Sequence, residues 1–265
     1  MEMFIMVLFI TVFVYTYVNQ RKNRAQRLVQ QAKNKTDAQS LNMNVDSSIE
    51  VYRKYDSVTK DDYSGTTGDI PWTLKSREIY FNNSRRNHGS SWKRTTRWNT
   101  NVVRMAKGKF FMIMSTPGFD NSKNEVKKTG FFSGITNSLA EFAIDNYVTG
   151  YFGHQYASIV NIDGATVVNI PELKEFFILT NDDAVSKKFL TDVTIKFIVN
   201  WMNNKPHFSR DSRVNRWGML FSQDGITVAC QADMVNADEA KVFSDFGASI
   251  ATLTKEASLQ NQLVS

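Results

Sequence analysis

One cysteine, Cys230, in a chain of 265 residues leaves nothing with which to close an internal disulfide or build a multi-cysteine zinc site. This fits a reducing compartment. Histidine is almost as scarce. His88, His154 and His207 lie far apart, and none has a His, Cys or carboxylate at metal-ligand spacing, so no metal site is expected. The glycine-bearing stretches "STPG", "GFFSG" and "TGYFGH" lack the lysine and spacing of a phosphate-binding loop, and no Gly-x-Ser-x-Gly elbow occurs. Asp182-Asp183 could pair for acid–base work, but reads more simply as favourable charge in a helix's first turn. No catalytic residue and no cofactor is assigned.

Charge is absent from a further place, the sixteen residues from Met3 to Val18, where Met3, Phe4, Ile5, Leu8, Phe9, Ile10, Val12, Phe13, Val14 and Val18 dominate. As a helix this run covers roughly 24 Å at about 1.5 Å per residue, somewhat short of a hydrocarbon core of about 30 Å. Local thinning and snorkelling of the arginines that follow close the gap. A cleavable signal needs a basic leader and small residues at the cut, whereas the flanks here read Met-Glu-Met and "YTYVNQRKNR". The run therefore reads as a retained transmembrane anchor. Arg21, Lys22, Arg24 and Arg27 follow at once and no cation precedes it, which places the rest of a single-pass protein on the cytoplasmic side. A soluble domain outside the membrane is the alternative.

Composition divides the chain into a membrane anchor with a juxtamembrane basic helix over 1–35, a flexible tether over 36–69 and a soluble α+β domain over 70–260. The tether reading rests on few aliphatics and many Asp, Ser, Thr and Asn. Beyond it, "TNVVRMAKGKFFMIMSTPG" suggests a hairpin turning at Ala-Lys-Gly, with its second strand covered on both faces. Asp163-Gly164 and Asp224-Gly225 signal two more hairpins. In the latter, Ile226, Val228 and Cys230 share a face, so the cysteine reads as a small core residue.

Helices are expected at 137–148 and across "TNDDAVSKKFLTDVTIKFIVNWMNN". Thr180 or Asn181 is the cap of the second, and Thr191 can split it in two. A closing helix starts at Asn236, with Glu239 at capping-box spacing and Phe243, Phe246, Ile250 and Leu253 inward. The fold class is α+β: an N-terminal transmembrane helix, then an antiparallel β-rich domain with two or three helices.

Glu175, Phe176-Phe177, Thr180, Asp182, Leu190-Thr191 and Asp224-Gly225 fall in an order that resembles the C-terminal part of a family of bacterial membrane-anchored proteins of unknown function. The proline usual after Leu-Thr in that family is Asp192 here. The resemblance covers the last third of the chain. It implies a membrane location, in bacteria the inner membrane, and no activity.

Basic residues concentrate in two places, after the apolar run and between Arg77 and Lys109, where nine Lys or Arg meet one Glu. In "RRNHGSSWKRTTRWN", Arg85, Arg86, Lys93, Arg94 and Arg97 are interleaved with Trp92 and Trp98. Cations hold phosphates, and tryptophans stack on bases or sit among headgroups, so anionic lipid and nucleic acid are the candidate partners. A membrane-tethered chain has lipid headgroups as its nearest phosphates. Strand alternation offers another outcome, with both tryptophans in the core and the cations toward solvent. The expected function is an interaction or scaffolding module, for a protein partner or for lipid. An enzyme of unrecognised type and a nucleic-acid-binding module are the alternatives.

Overall fold

The computed structural model describes residues 28–53, 56–81, 91–115, 165–174, 176–204 and 217–260, with single positions at 18, 148, 149, 152, 156, 206, 208, 210 and 211. The apolar run up to position 17, the basic residues Arg21, Lys22, Arg24 and Arg27, Arg85 and Arg86, the three histidines, the Asp163-Gly164 turn and most of the helix expected at 137–148 lie outside them. Among the described residues no helix is long and apolar enough to cross a membrane.

The architecture is α+β. Nine strands, β1 (Met43–Arg53), β2 (Asp56–Thr67), β3 (Ile70–Phe81), β4 (Ser91–Thr100), β5 (Phe111–Ser115), β6 (Thr166–Val167), β7 (Phe176–Thr180), β9 (Trp217–Ser222) and β10 (Gly225–Cys230), make one sheet. Its order is β1-β2-β3-β4-β10-β9-β5-β7-β6, with every pairing antiparallel. A separate ribbon joins β8 (Arg210–Asp211) to β11 (Ala232–Asp233). The helices are α1 (28–40), α2 (Asp183–Phe189), α3 (Asp192–Asn204) and α4 (Ala237–Gln260).

The segment 36–69, expected as a tether, instead supplies the end of α1 and the two strands β1 and β2. Their polar composition misleads because only one face is covered. Met43, Val45 and Tyr63 turn to the helices while Asn44, Asp46, Asp62 and Ser64 turn away, the alternation a one-sided antiparallel sheet permits. The hairpin expected around Ala106-Lys107-Gly108 is also absent. β4 ends at Thr100, and β10 and β9 lie between it and β5. The second strand of that stretch is nonetheless buried throughout, as expected.

Other local signals are met. β9 and β10 form a hairpin closed at Gln223-Asp224, and Gly225 follows at φ +121°, where a Cβ would lie 2.0 Å from the Thr100 carbonyl oxygen. The chain breaks between α2 and α3 at Leu190-Thr191, with the Thr191 hydroxyl accepting from the Thr194 N–H at 3.3 Å. The cap of α2 is Asp182, whose carboxylate accepts from the Val185 N–H, rather than Thr180 or Asn181. Thr180 is drawn instead into β7. Asn236 caps α4 through the Glu239 N–H at 2.9 Å, and the Glu239 carboxylate reaches back to the Val235 N–H at 2.8 Å, one residue before the cap position that a capping box uses.

The main core lies between the sheet's inner face and the helices. Trp98, Ile226, Val228, Met219, Ile113 and Phe111 meet Phe243, Phe246, Ile250 and Phe189. Phe246 stacks on Trp201 with ring centroids 4.2 Å apart and stands edge-on to Trp217 at 6.0 Å. Cys230 is buried in this core. A smaller core on the outer face holds Met112, Met114, Leu179 and Leu220 with Phe152 and Tyr156.

Trp98 is fully buried and lies against the backbone of α4 at Gly247, where a Cβ would stand 2.4 Å from the indole. Replacing glycine by alanine inside a helix ordinarily gains about 1 kcal/mol. Gly247→Ala should instead destabilise by about 1–3 kcal/mol through overpacking, read as a lower urea midpoint at unchanged slope. A stabilised variant would contradict this contact.

Candidate functional site

The basic, tryptophan-bearing segment becomes β4, and the two-residue period of a strand divides it. Trp98 and Arg94 share the inner face with Thr96, while Lys93, Arg97 and Asn99 share the outer one. Of the cations expected to act together, Lys93 and Arg97 thus part from Arg94, while Arg85 and Arg86 lie outside the described residues. Arg94 donates to Glu78 at 2.8 Å on the helix side, and Trp98 is core, so neither is available to a partner. Of Trp92 the structure gives only the pairing with Tyr80.

Strand β3 adds what the segment alone lacked. Lys75 lies directly opposite Arg97, and Arg77 lies two residues further along on the same face. Like charges opposite one another in an antiparallel pair destabilise it. Burial lowers the Arg97 guanidinium from its ordinary range, the nearby Tyr156 works against that, and Arg77 adds to the lowering. Arg77 is itself held by Asp62 at 2.5 Å.

Beside these cations runs an open groove of about 540 Å³, whose lining includes Lys75, Arg97, Asn99, Tyr156 and Thr227, with Asp224 at one end. Its polar atoms are ordered by a three-membered network. The Thr227 hydroxyl donates to Asn99 Oδ1 at 2.9 Å and lies 3.0 Å from Tyr156 Oη, which is 3.2 Å from the same Asn99 oxygen. Guanidinium, ammonium and hydroxyl groups on one face suit an oxyanion such as a phosphate. Tyr156 and Thr227 carry no local motif. They meet Asn99 only through the pairing of β10 with β4 and the packing of Phe152 and Tyr156 on the sheet, so sequence reasoning missed them.

On the opposite face, β1–β3 carry a buried polar cluster. The Ser76 hydroxyl donates to Asp233 at 2.7 Å and accepts from the Met234 N–H at 2.8 Å, and Thr96 donates to the Ala232 carbonyl. These bonds tie the strand end at Asp233 to the sheet. Ser47 donates to Asp61, a carboxyl that burial raises to about 6, with Asp233 and Asp62 adding to the rise and Ser47 and Arg77 opposing it. Comparison of the chain with protein-family models, with curated proteins and with solved structures finds no match.

Asp61 fixes a pH dependence. Its folded pKa lies above the ordinary 3.8, so between pH 3.8 and about 6 the folded state binds more protons than the unfolded one and stability falls as pH rises. Asp61→Asn removes the cost of the buried charge. Relative to wild type it should gain stability progressively from pH 4 to pH 7, on the order of 2 kcal/mol in all, by urea unfolding at each pH. A difference that stays flat with pH would contradict the burial of a charged Asp61.

Proposed function

We propose that the chain is a membrane-tethered binding module whose outer sheet face, around Arg97 and Lys75, takes phosphate-bearing lipid headgroups. The observation that carries this reading is the placement of Lys75 opposite Arg97 with Arg77 beside them, next to the ordered Tyr156, Asn99 and Thr227 groups. Asp62 already holds Arg77, and the ammonium and guanidinium of Lys75 and Arg97 on one face suit an oxyanion. Headgroups are preferred over nucleic acid because Trp98, the aromatic that would stack on a base, is buried beneath α4.

The tether is the apolar run from Met3 to Val18, and Arg21, Lys22, Arg24 and Arg27 then favour the cytoplasmic side. The resemblance of the last third to bacterial membrane-anchored proteins supports the bacterial inner membrane as the place.

One sedimentation experiment tests both parts. The full chain should stay with neutral and anionic vesicles alike after a salt wash. A form lacking residues 1–20 should bind anionic vesicles only, more weakly at high salt, and Lys75→Gln with Arg97→Gln in that form should reduce binding at least tenfold. Full chain in the wash sinks the tether. Undiminished vesicle binding by the double variant sinks the headgroup site.

A further inference from the structure

Register across the outer face sets two rows side by side in the groove. Lys75 on β3 and Arg97 on β4 form the first, directly opposite one another. Two residues along, about 7 Å on a strand, Thr73 lies opposite Asn99, and Thr227 on β10 extends that row on the other side of Asn99. Leu74, Trp98 and Val228 are buried on the inner face, so all five of these residues share the outer one. The first row is cationic. The second is polar and neutral.

Both rows keep hydrogen-bonding capacity for a ligand. The hydroxyls of Thr227 and Tyr156 close on Asn99 Oδ1 at 2.9 and 3.2 Å, and the other end of that amide has no partner among the described residues. Whichever end faces the groove serves an alcohol, whose O–H both donates and accepts. Thr73 is exposed, and its hydroxyl makes no hydrogen bond among the described residues. Lys75 is exposed as well and forms no ion pair among them. Asp62 lies opposite Lys75 on β2, away from β4 and β10, and is held by Arg77.

We infer that the groove, as the headgroup site on which this rests, selects a polyol phosphate such as a glycerol phosphate. The phosphate lies on Lys75 and Arg97, and the hydroxyls of the carbons beyond it lie on Thr73 and Asn99. A groove of about 540 Å³ is far larger than a bare phosphate needs, since a water takes about 30 Å³ of liquid. A neutral second row offers a second phosphate no counter-charge. An amino alcohol would need a carboxylate close to the phosphate. The acid of the lining, Asp224, lies beyond Ile226, which is itself about 10 Å along β10 from the level of Arg97.

Acetylation of Lys75 in the full chain, on neutral vesicles doped with phosphatidylglycerol or with phosphatidylpropanol, tests the selectivity. The two lipids share their charge and headgroup carbon chain, and only the first bears headgroup hydroxyls. Half-protection of Lys75 should need roughly fivefold less phosphatidylglycerol, about the worth of one neutral hydrogen bond, and Thr73→Val should shrink that ratio about twofold or more. Dissolved sn-glycerol 3-phosphate and propyl phosphate, added over neutral vesicles, separate the sources. Protection at lower concentration by sn-glycerol 3-phosphate than by propyl phosphate, with none by either lipid, keeps the polyol phosphate and overturns the headgroup reading. Equal protection by the two lipids, or a ratio that Thr73→Val leaves unchanged, overturns the polyol selectivity while the headgroup reading stands. No protection by any of the four overturns both. Where Thr73→Val fails to fold, the ratio on the wild type decides alone.

Discussion

The seat of Trp98 under α4 is the constraint on which the rest depends. Its indole meets the helix backbone at Gly247, the one place on α4 where so close an approach is possible without a side chain in the way. A strand has a period of two, so anchoring Trp98 inward settles the side of every other residue on β4. Lys93, Arg97 and Asn99 must face outward, and Arg94 and Thr96 inward. A slip of one residue would bury Arg97 beneath a helix and expose the indole. Leu74 and Val228, opposite Trp98 on the two flanking strands, are fully buried and hold the same register.

From that parity come two faces of opposite chemical character at one end of the sheet. The outward side collects Lys75, Arg77, Lys93 and Arg97, with Asp62 on Arg77; the inward side collects Asp61, Glu78 and Asp233, with Arg94 on Glu78 and Arg210 opposite Asp233 in the register. Each set is costly to gather. Cations opposed across strands repel, and buried carboxylates are poorly solvated. The inner face offsets part of this cost with the hydroxyls of Ser47 on Asp61 and Ser76 on Asp233, and Ser76 with Thr96, on the Ala232 carbonyl, fixes the chain there before α4 begins. The outer face offsets it by exposure of Lys75 and Lys93 to water.

Features set by neighbours in sequence were legible. The Asn236 cap with Glu239 three residues on, the Asp224-Gly225 hairpin, the Leu190-Thr191 break and the burial of Cys230 each follow from a few adjacent residues, and all are present. Features set by distant partners were not. β1 and β2 read as a tether because hydroxyls and carboxylates occupy most positions, and nothing local reveals that Val45 and Tyr63 will meet a helix. In place of the hairpin expected between β4 and β5, β10, over a hundred residues on, pairs with β4 and sets Val228 opposite Trp98. The candidate groove was half legible: Arg97 stood out as a cation, while Tyr156, Asn99 and Thr227 become a group only in the folded sheet.

The central proposal is that the outer sheet face, whose side chains strand parity at Trp98 selects, meets anionic headgroups. Acetylation footprinting of lysines on the full chain, in neutral and then in anionic vesicles, tests it most directly. Lys75 and Lys93 on the outer face should lose reactivity in anionic vesicles, while Lys187 and Lys188 on α2, on the helical side, should react as before. Protection of Lys187 and Lys188 with Lys75 left reactive would contradict the account.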